Sequence, residues 1–204
     1  MNNEKNRQSY NKIAEKWNEY RKNTELNPYV IAFANLVKNG GSILDVGCGT
    51  GIPIDQYLVK CGFNITGVDI SEKMLEKAID LKLTKAIFRQ FDFFEFVSND
   101  KYDGLIAFDS FFHIDMNKQN LIYSKANNLL KNGGILLFTH GKTNGKASSK
   151  MFGEKFYYSA LALDKTLDNL QKNGFDIIEI VENYECKEDK RDLIIIARKR
   201  TTND

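Results

Sequence analysis

The stretch Ile43-Leu44-Asp45-Val46-Gly47-Cys48-Gly49-Thr50-Gly51 constrains this chain more than any other. Ile43, Leu44 and Val46 form a short apolar run that suits a buried strand. Three glycines on alternate positions then turn the chain, and none carries a β-carbon to hold a ligand away. Ile52 to Lys60 reads as a helix, with Pro53 tolerated because the N–H it lacks falls in the first turn. A strand, a glycine turn and a helix N-terminus would present N–H groups and the positive end of a dipole to whatever sits above them.

The glycine spacing discriminates between ligands. A dinucleotide fingerprint is G-x-G-x-x-G. Counted from Gly47 its third glycine would fall at Ile52, and counted from Gly49 it fails at Ile54. The pattern is instead D-x-G-x-G-x-G, led by Asp45. A carboxylate at the mouth of the site repels a pyrophosphate and attracts an ammonium. At these residues the chain resembles the small, single-domain class I S-adenosylmethionine (SAM)-dependent methyltransferases, whose first motif reads like Ile43–Gly51. The resemblance implies an α/β fold: a Rossmann-like, doubly wound, seven-stranded sheet with the last strand antiparallel, plus an N-terminal helical lid. It also implies SAM as cofactor, S-adenosylhomocysteine as product, and no metal. Val46, Gly47, Cys48, Gly49 and Gly51 would then lie against the cofactor.

The remaining segments are consistent with that frame. Residues 9–22 carry Tyr10, Ile13, Ala14, Trp17 and Tyr20 at helical spacing. This is an amphipathic helix with an aromatic face; it either packs plainly on the domain or, as the resemblance implies, caps the cofactor pocket with Tyr10 and Trp17. Asn27-Pro28 starts a second helix, which Gly40-Gly41 ends. Residues 63–69 alternate into a second strand that closes on Asp69, and Ser71 caps a helix holding Met74, Leu75 and Ala78. An acid there, about 20 residues past a glycine loop, is placed to accept hydrogen bonds from ribose hydroxyls. The resemblance sets Ile70 and Met74 beside the adenine. After a third strand at 86–90, Phe91-Asp92-Phe93-Phe94 offers a carboxylate among rings. Asp92 would meet the adenine amine with Phe93 beside it; otherwise the rings are core and Asp92 a turn residue.

Strand four, Tyr102–Asp109, leads into Ser110-Phe111-Phe112-His113. Ligands sit outside the carboxyl ends of parallel strands, which puts Asp109, Ser110 and His113 where chemistry would occur; the resemblance implies that Phe108, Asp109 and His113 lie against the cofactor. A helix over Lys118–Leu130 is closed by Gly133-Gly134, and strand five, Ile135–Thr139, ends on His140 at the same edge. Residues 141–152, rich in Gly, Ser, Lys and Asn, predict an exposed mobile loop. The aromatic run that follows, with Tyr157 and Tyr158, either packs on the core or lines an acceptor pocket together with Tyr20 and Phe112. Leu163, Leu167 and Leu170 mark a last helix. Two apolar strands, Phe175–Val181 and Leu193–Ala197, are joined by a charged connection from Glu182 to Asp192.

The whole chain, 1–204, is expected to form one domain: helices and lid over 1–39, a SAM-binding core over 40–140, and an acceptor-side loop, helix and hairpin over 141–204. With 29 basic and 27 acidic residues the net charge is +2, without the basic excess of a nucleic-acid binder. Nor does an Asn/Asp-Pro-Pro-aromatic sequence follow strand four. Cys48, Cys61 and Cys186 are scattered and the histidines number two, which suits neither a disulfide framework nor a metal set. No apolar run of about 18 residues is present, and the first residues lack a signal peptide's apolar core. The expectation is a cytoplasmic protein with a small-molecule acceptor, monomer or dimer.

Methyl transfer is an in-line displacement that needs a base only if the nucleophile must lose a proton. His113 and His140 are the candidates, unless both are strand-end hydrogen-bonding residues and no dedicated base exists. Two alternatives stand beside this reading: a SAM-binding regulator without catalysis, and an NAD-dependent oxidoreductase, against which Ile52 and Asp45 argue.

Overall fold

The structure is a computed structural model that describes residues 2–187 and 189–201. Helix α1 spans Asn2–Lys22, starting seven residues before the aromatic spacing predicts. Helix α2, Pro28–Leu36, begins where Asn27 Oδ1 accepts from the Tyr29 N–H at 2.9 Å. Strand β1 is Ser42–Val46 and helix α3 is Ile54–Lys60, so Pro53 precedes the first helical residue instead of lying inside the first turn. Strand β2 (Asn64–Asp69) leads to helix α4 (Glu72–Asp80), whose Met74 N–H is capped by Ser71 Oγ at 3.2 Å. Strands β3 (Ala86–Gln90) and β4 (Tyr102–Ala107) follow.

The predicted 118–130 helix divides into a 3-10 turn, Met116–Leu121, and helix α5, Ile122–Leu129. Strand β5 runs from Leu130 to His140, through the Gly133-Gly134 pair. Helix α6 is Leu163–Lys172. The final hairpin, β8 (Phe175–Cys186) and β9 (Asp189–Lys199), is longer than its apolar segments suggest. The charged stretch is strand as well: Glu185 sits opposite Lys190 and pairs with it at 2.5 Å. Residue 188 lies outside the described residues.

One seven-stranded sheet has the order β3-β2-β1-β4-β5-β9-β8. Strands β1 to β5 run parallel, and β9 is antiparallel to both neighbours. Both faces are covered, so the central strands are apolar on alternate sides. Leu44, Leu105, Leu136 and Phe138 join Tyr123 and Phe175 on one side; Ile43, Ile106, Ile135 and Leu137 join Phe33 and Leu58 on the other. Among the described residues no helix is long and apolar enough to cross a membrane.

The predicted mobile loop is in fact ordered. Strand β6 (Gly145–Met151) pairs antiparallel with β7 (Glu154–Ala160) in a separate two-stranded sheet. β6 is almost wholly exposed and has no alternation to betray it. It is held by its partner, whose Phe156 is buried with Ile13 and Met74 beneath α1.

Phe138 sits at the centre of the sheet, with ring centroids 5.7 Å from Phe111 and 6.1 Å from Tyr123. Phe138→Ala should lower the unfolding free energy in urea by about 3–5 kcal/mol. Val97→Ala, at a position 79% exposed, should change it by about 0.5 kcal/mol or less.

Candidate active site

The three glycines of the first motif serve three different needs. All have positive φ: 77°, 56° and 74° for Gly47, Gly49 and Gly51. A β-carbon on Gly47 would stand 2.4 Å from Ser110 Cβ, so that glycine lets the loop after β4 approach. Gly49 faces the cavity, with only Trp17 near. Gly51 turns away; its neighbours are Leu81, Phe88 and Ala78, and it serves helix packing instead of lining the cavity.

The N–H groups expected to face a ligand are mostly used inside the fold. Those of Gly47 and Cys48 donate to Val68 O at 2.7 and 3.2 Å, and that of Gly51 to Cys48 O at 3.0 Å. The Gly49 N–H donates to Asp69 Oδ2 at 2.9 Å, while Asp69 Oδ1 accepts from the Ser71 N–H at 2.8 Å. Asp69 thus spans the glycine turn and the start of α4. Burial raises its pKa to about 6, against the pull of backbone N–H groups from Ser71, Gly49 and Ile70. Each of its oxygens keeps a second lone pair.

Asp45 is not alone. Asp55, from the first turn of α3, lies fully buried against it. Burial is the main cause that lifts Asp45 to about 7 and Asp55 well above its ordinary value. Neither Asp55 oxygen has a hydrogen-bond partner among the described residues, and with so little water to solvate a charge each carboxyl disfavours ionisation of the other, so both are held towards the protonated form. Nothing in the local sequence around Asp55 signals this partnership.

Helix α1 covers these groups. Asn3 Nδ2 donates to Asp92 Oδ2, whose Oδ1 accepts from the Phe94 N–H at 2.8 Å. Asn6 pairs with the backbone of Tyr157 in both directions, at 2.9 Å each. Asn11 Oδ1 accepts from Ser71 Oγ at 2.7 Å. Asn3 and Asn6 extend the stripe of Tyr10, Ile13 and Trp17 backwards at spacings of three and four. Their place on the buried face was therefore readable, though not their partners. Arg21, one turn past Trp17, donates from Nε to Ile52 O at 3.1 Å and lies over the Trp17 ring. It has no carboxylate partner among the described residues. Its spacing was missed because it ends an aromatic stripe with a charge.

Two cavities meet here. One, about 110 Å³ under α1, is lined by Asp45, Asp69 and Asp92, by Val46, Gly47, Cys48 and Gly49, and by Ile70, Met74, Phe93 and Phe108. The other, about 1200 Å³, opens over the ends of β4 and β5. Five residues line both: Tyr10, Trp17, Arg21, Asp109 and His113.

Both histidines are committed. His113 Nδ1 lies 2.9 Å from Tyr157 O and 3.0 Å from Asn6 Nδ2, and Nε2 lies 2.8 Å from the Tyr10 hydroxyl. Burial lowers its pKa to about 4, so the ring is neutral. His140 Nε2 lies 2.7 Å from Gln119 Oε1 and Nδ1 lies 2.8 Å from Gly141 O. Gln119 is oriented by three carbonyls, those of Phe111, Ile114 and Ser159, so its oxygen faces the imidazole. Neither ring offers a free nitrogen to the cavities.

Of the four aromatic acceptor candidates, Tyr20, Phe112 and Tyr158 line the large cavity. Tyr157 does not: neighbours on a strand point to opposite faces, and its ring lies 5.2 and 5.1 Å from the ammonium groups of Lys5 and Lys155. Asp109 has a left-handed backbone, φ 64°. Its carboxylate accepts from Thr139 Oγ1 at 3.1 Å and from Arg191 Nη2 at 2.6 Å. Arg191 also holds Asp189 at 2.6 Å. It comes from β9, 82 residues away, with no local signal.

Sheet order, glycine turn and strand-end acids together define a class I methyltransferase fold. Residues 43–134 match the family model described as a methyltransferase domain. A Geobacillus sp. (strain WCH70) protein provisionally called a methyltransferase is 38% identical over 102 residues, which cover 47% of this chain and 40% of the relative. Mouse glycine N-methyltransferase is 28% identical over 153 residues, 65% of this chain and 52% of the relative. The chain spans about half the length of the curated relatives it matches. A SAM-dependent methyltransferase structure from Methanosarcina mazei superposes with a TM-score of 0.73 at 20% identity, covering 88% of this chain and 100% of that one.

The carboxyl pair sets a pH signature. Groups with folded pKa values above their unfolded ones, about 4 for aspartate, stabilise the fold when protonated; that contribution fades as pH rises through the folded values. His113 acts oppositely, losing stability as pH falls from about 6.5 towards 4, and cancels when a variant is compared with the native protein. Asp55→Asn should therefore gain stability relative to the native chain between about pH 5 and pH 8. Thermal melts across that range check it; a pH-independent difference overturns the upward shift of these two carboxyls.

Proposed function

We propose that this chain is a SAM-dependent methyltransferase that acts on a small-molecule acceptor. One observation carries the reading: a narrow cavity lined by Asp45, Asp69 and Asp92 adjoins a larger cavity at a throat of five residues that line both. A cofactor in the first and an acceptor in the second would face each other across Tyr10, Trp17, Arg21, Asp109 and His113.

The residues fit the cofactor's polar groups. Asp69 has lone pairs left for ribose hydroxyls, and charge-assisted bonds there are the stronger kind. Asp92, once released from Asn3, suits the adenine amine. Asp45 supplies negative charge for the ammonium, and the unpaired Arg21 suits the carboxylate that the glycine-loop N–H groups no longer can serve. The small cavity volume means that α1 must shift to admit a molecule of this size, since bound ligands fill roughly 300–1,000 Å³. Bound SAM supplies a methyl carbon already attached to a good leaving group. The chain itself positions the acceptor within about 3–3.5 Å of that carbon and excludes water, which can be worth roughly 7–11 kcal/mol. We assign no dedicated base, because both imidazoles are engaged. We also propose a reducing compartment, the cytoplasm, in keeping with two exposed free thiols, Cys61 and Cys186.

A thermal-shift titration with SAM, S-adenosylhomocysteine and NAD tests the reading. At 100 times its dissociation constant a ligand should add about 2.7 kcal/mol of stability. Both sulfur ligands should raise the midpoint and NAD should not. Asp69→Ala removes charge-assisted bonds worth about 1.5–3 kcal/mol, so S-adenosylhomocysteine affinity should fall roughly 10- to 100-fold. A shift with NAD alone would overturn the assignment; sulfur-ligand binding with no turnover across a broad acceptor panel would make the chain a binding protein.

A further inference from the structure

The large cavity also constrains its occupant, on the reading that the narrow one takes SAM. Asp109, which lines both cavities, is tied on the wide side to Arg191 and through it to Asp189. One guanidinium bridges both carboxylates at 2.6 Å each, and Asn27 Nδ2 donates to Asp189 Oδ2 at 2.8 Å. Two acids on one cation leave the cluster with a net charge of −1. The remaining charged lining, Lys146, Lys187, Lys190, Glu25 and Asp192, belongs to the wide cavity alone, and Arg21, which lines both, is assigned to the cofactor's carboxylate. The walls are aromatic, with Tyr20, Phe112, Phe152 and Tyr158 around the space. No base is free: His113 is held by Tyr10 and Tyr157, and His140 by Gln119 and Gly141.

We infer that the acceptor is an amine on an aromatic body, with its nitrogen held at Asp109. A hydroxyl gains nucleophilicity only by becoming an anion, which the carboxylates beside it oppose and no cation among the described residues is free there to stabilise. A thiolate or carboxylate would bring negative charge to a cluster that is already negative. An amine fits both constraints. An ammonium in solution, it loses one proton to water before the site closes, and as a neutral amine it donates a hydrogen bond from a remaining N–H to Asp109. The nitrogen lone pair forms the N–C bond to the methyl carbon as the C–S bond breaks, and that electron pair leaves on sulfur. The positive charge passes from sulfur to nitrogen, so the product is an N-methylammonium facing Asp109 beside neutral S-adenosylhomocysteine. A carboxylate already fixed where the charge arrives lowers the barrier without reorganising.

The test is calorimetric titration of phenethylamine and tyramine into the protein loaded with S-adenosylhomocysteine, with 4-ethylphenol and 3-phenylpropionate as controls. Both amines should bind at least tenfold tighter than either control. Asp109→Asn tolerates the left-handed backbone, as Asn commonly does; it should weaken amine binding at least tenfold, and by a larger factor than it weakens S-adenosylhomocysteine binding. Asp189→Asn, which neutralises the cluster without touching the throat, should weaken amine binding severalfold. With methyl-labelled SAM, tyramine should carry label on nitrogen and not on its phenolic oxygen. Amines that bind no better than the phenol, an Asp109→Asn protein with undiminished amine binding, or label on the phenolic oxygen would each overturn the inference alone. Failure of S-adenosylhomocysteine itself to bind would overturn the methyltransferase reading beneath it.

Discussion

Gly47 and Ser110 touch across the gap between β1 and β4, and what stands above the sheet is arranged around that contact. Ser110 Oγ donates to Val46 O at 2.5 Å, and only a hydrogen on the Gly47 α-carbon leaves room for Ser110 Cβ. The strand order reverses at this point: β2 and β3 lie to one side of β1, and β4 and β5 to the other. Loops leaving the two strands diverge, and a crevice opens between them. The acids that end β2 and follow β3, Asp69 and Asp92, fall on one side of it. Asp109 and His140, which follow β4 and end β5, fall on the other. The division into two cavities is thus a property of the sheet before any side chain is considered, and the residues of the throat belong to both because they stand over the reversal.

The roof obeys a different physics. Helix α1 and the β6–β7 hairpin share a small apolar cluster, Ile13, Ala14, Met74 and Phe156, but much of their attachment is polar. Asn6 pairs with the N–H and C=O of Tyr157 as a neighbouring strand would. Ser9 Oγ donates to Lys155 O at 2.8 Å, and Asn11 accepts from Ser71. Each such bond contributes about 0.5–1.5 kcal/mol net, because water replaces it when it breaks. A roof held this way is ordered when closed and inexpensive to lift. The sheet below, with Phe138 and Leu137 fully buried, has no comparable freedom.

These two kinds of attachment explain what could be read from the sequence. The parallel strands and their order followed from apolar runs and turn residues, because burial on both faces demands such runs. Asp45, Asp69 and Asp92 followed from their places at strand ends. Gly51 was assigned to the ligand because a motif does not say which way a turn faces. Tyr157 and Tyr158 were indistinguishable as neighbours; alternation puts one inside but only the packing of Phe156 decides which. Strand β6 has no apolar pattern, since its order comes from its partner. Asp55, Gln119 and Arg191 act through residues 10, 21 and 82 positions away, and their roles arise only on folding. The histidines looked like free bases because a sequence cannot show that Tyr10 and Gln119 already occupy them.

Charge economy links the two halves. Acids withdrawn from water are costly, and the chain handles two pairs of them differently. Asp45 and Asp55, fully buried, are held towards the protonated form; Asp109 and Asp189, half-buried, divide one guanidinium and keep a net negative charge beside the wide cavity. Removing Arg191 would leave two carboxylates facing each other, which is far less tolerable than losing one acid. Under the proposed reaction a positive charge passes from sulfur to the acceptor. A carboxylate cluster already fixed where that charge arrives requires no rearrangement of the protein, and the neutral His113 adds no opposing charge.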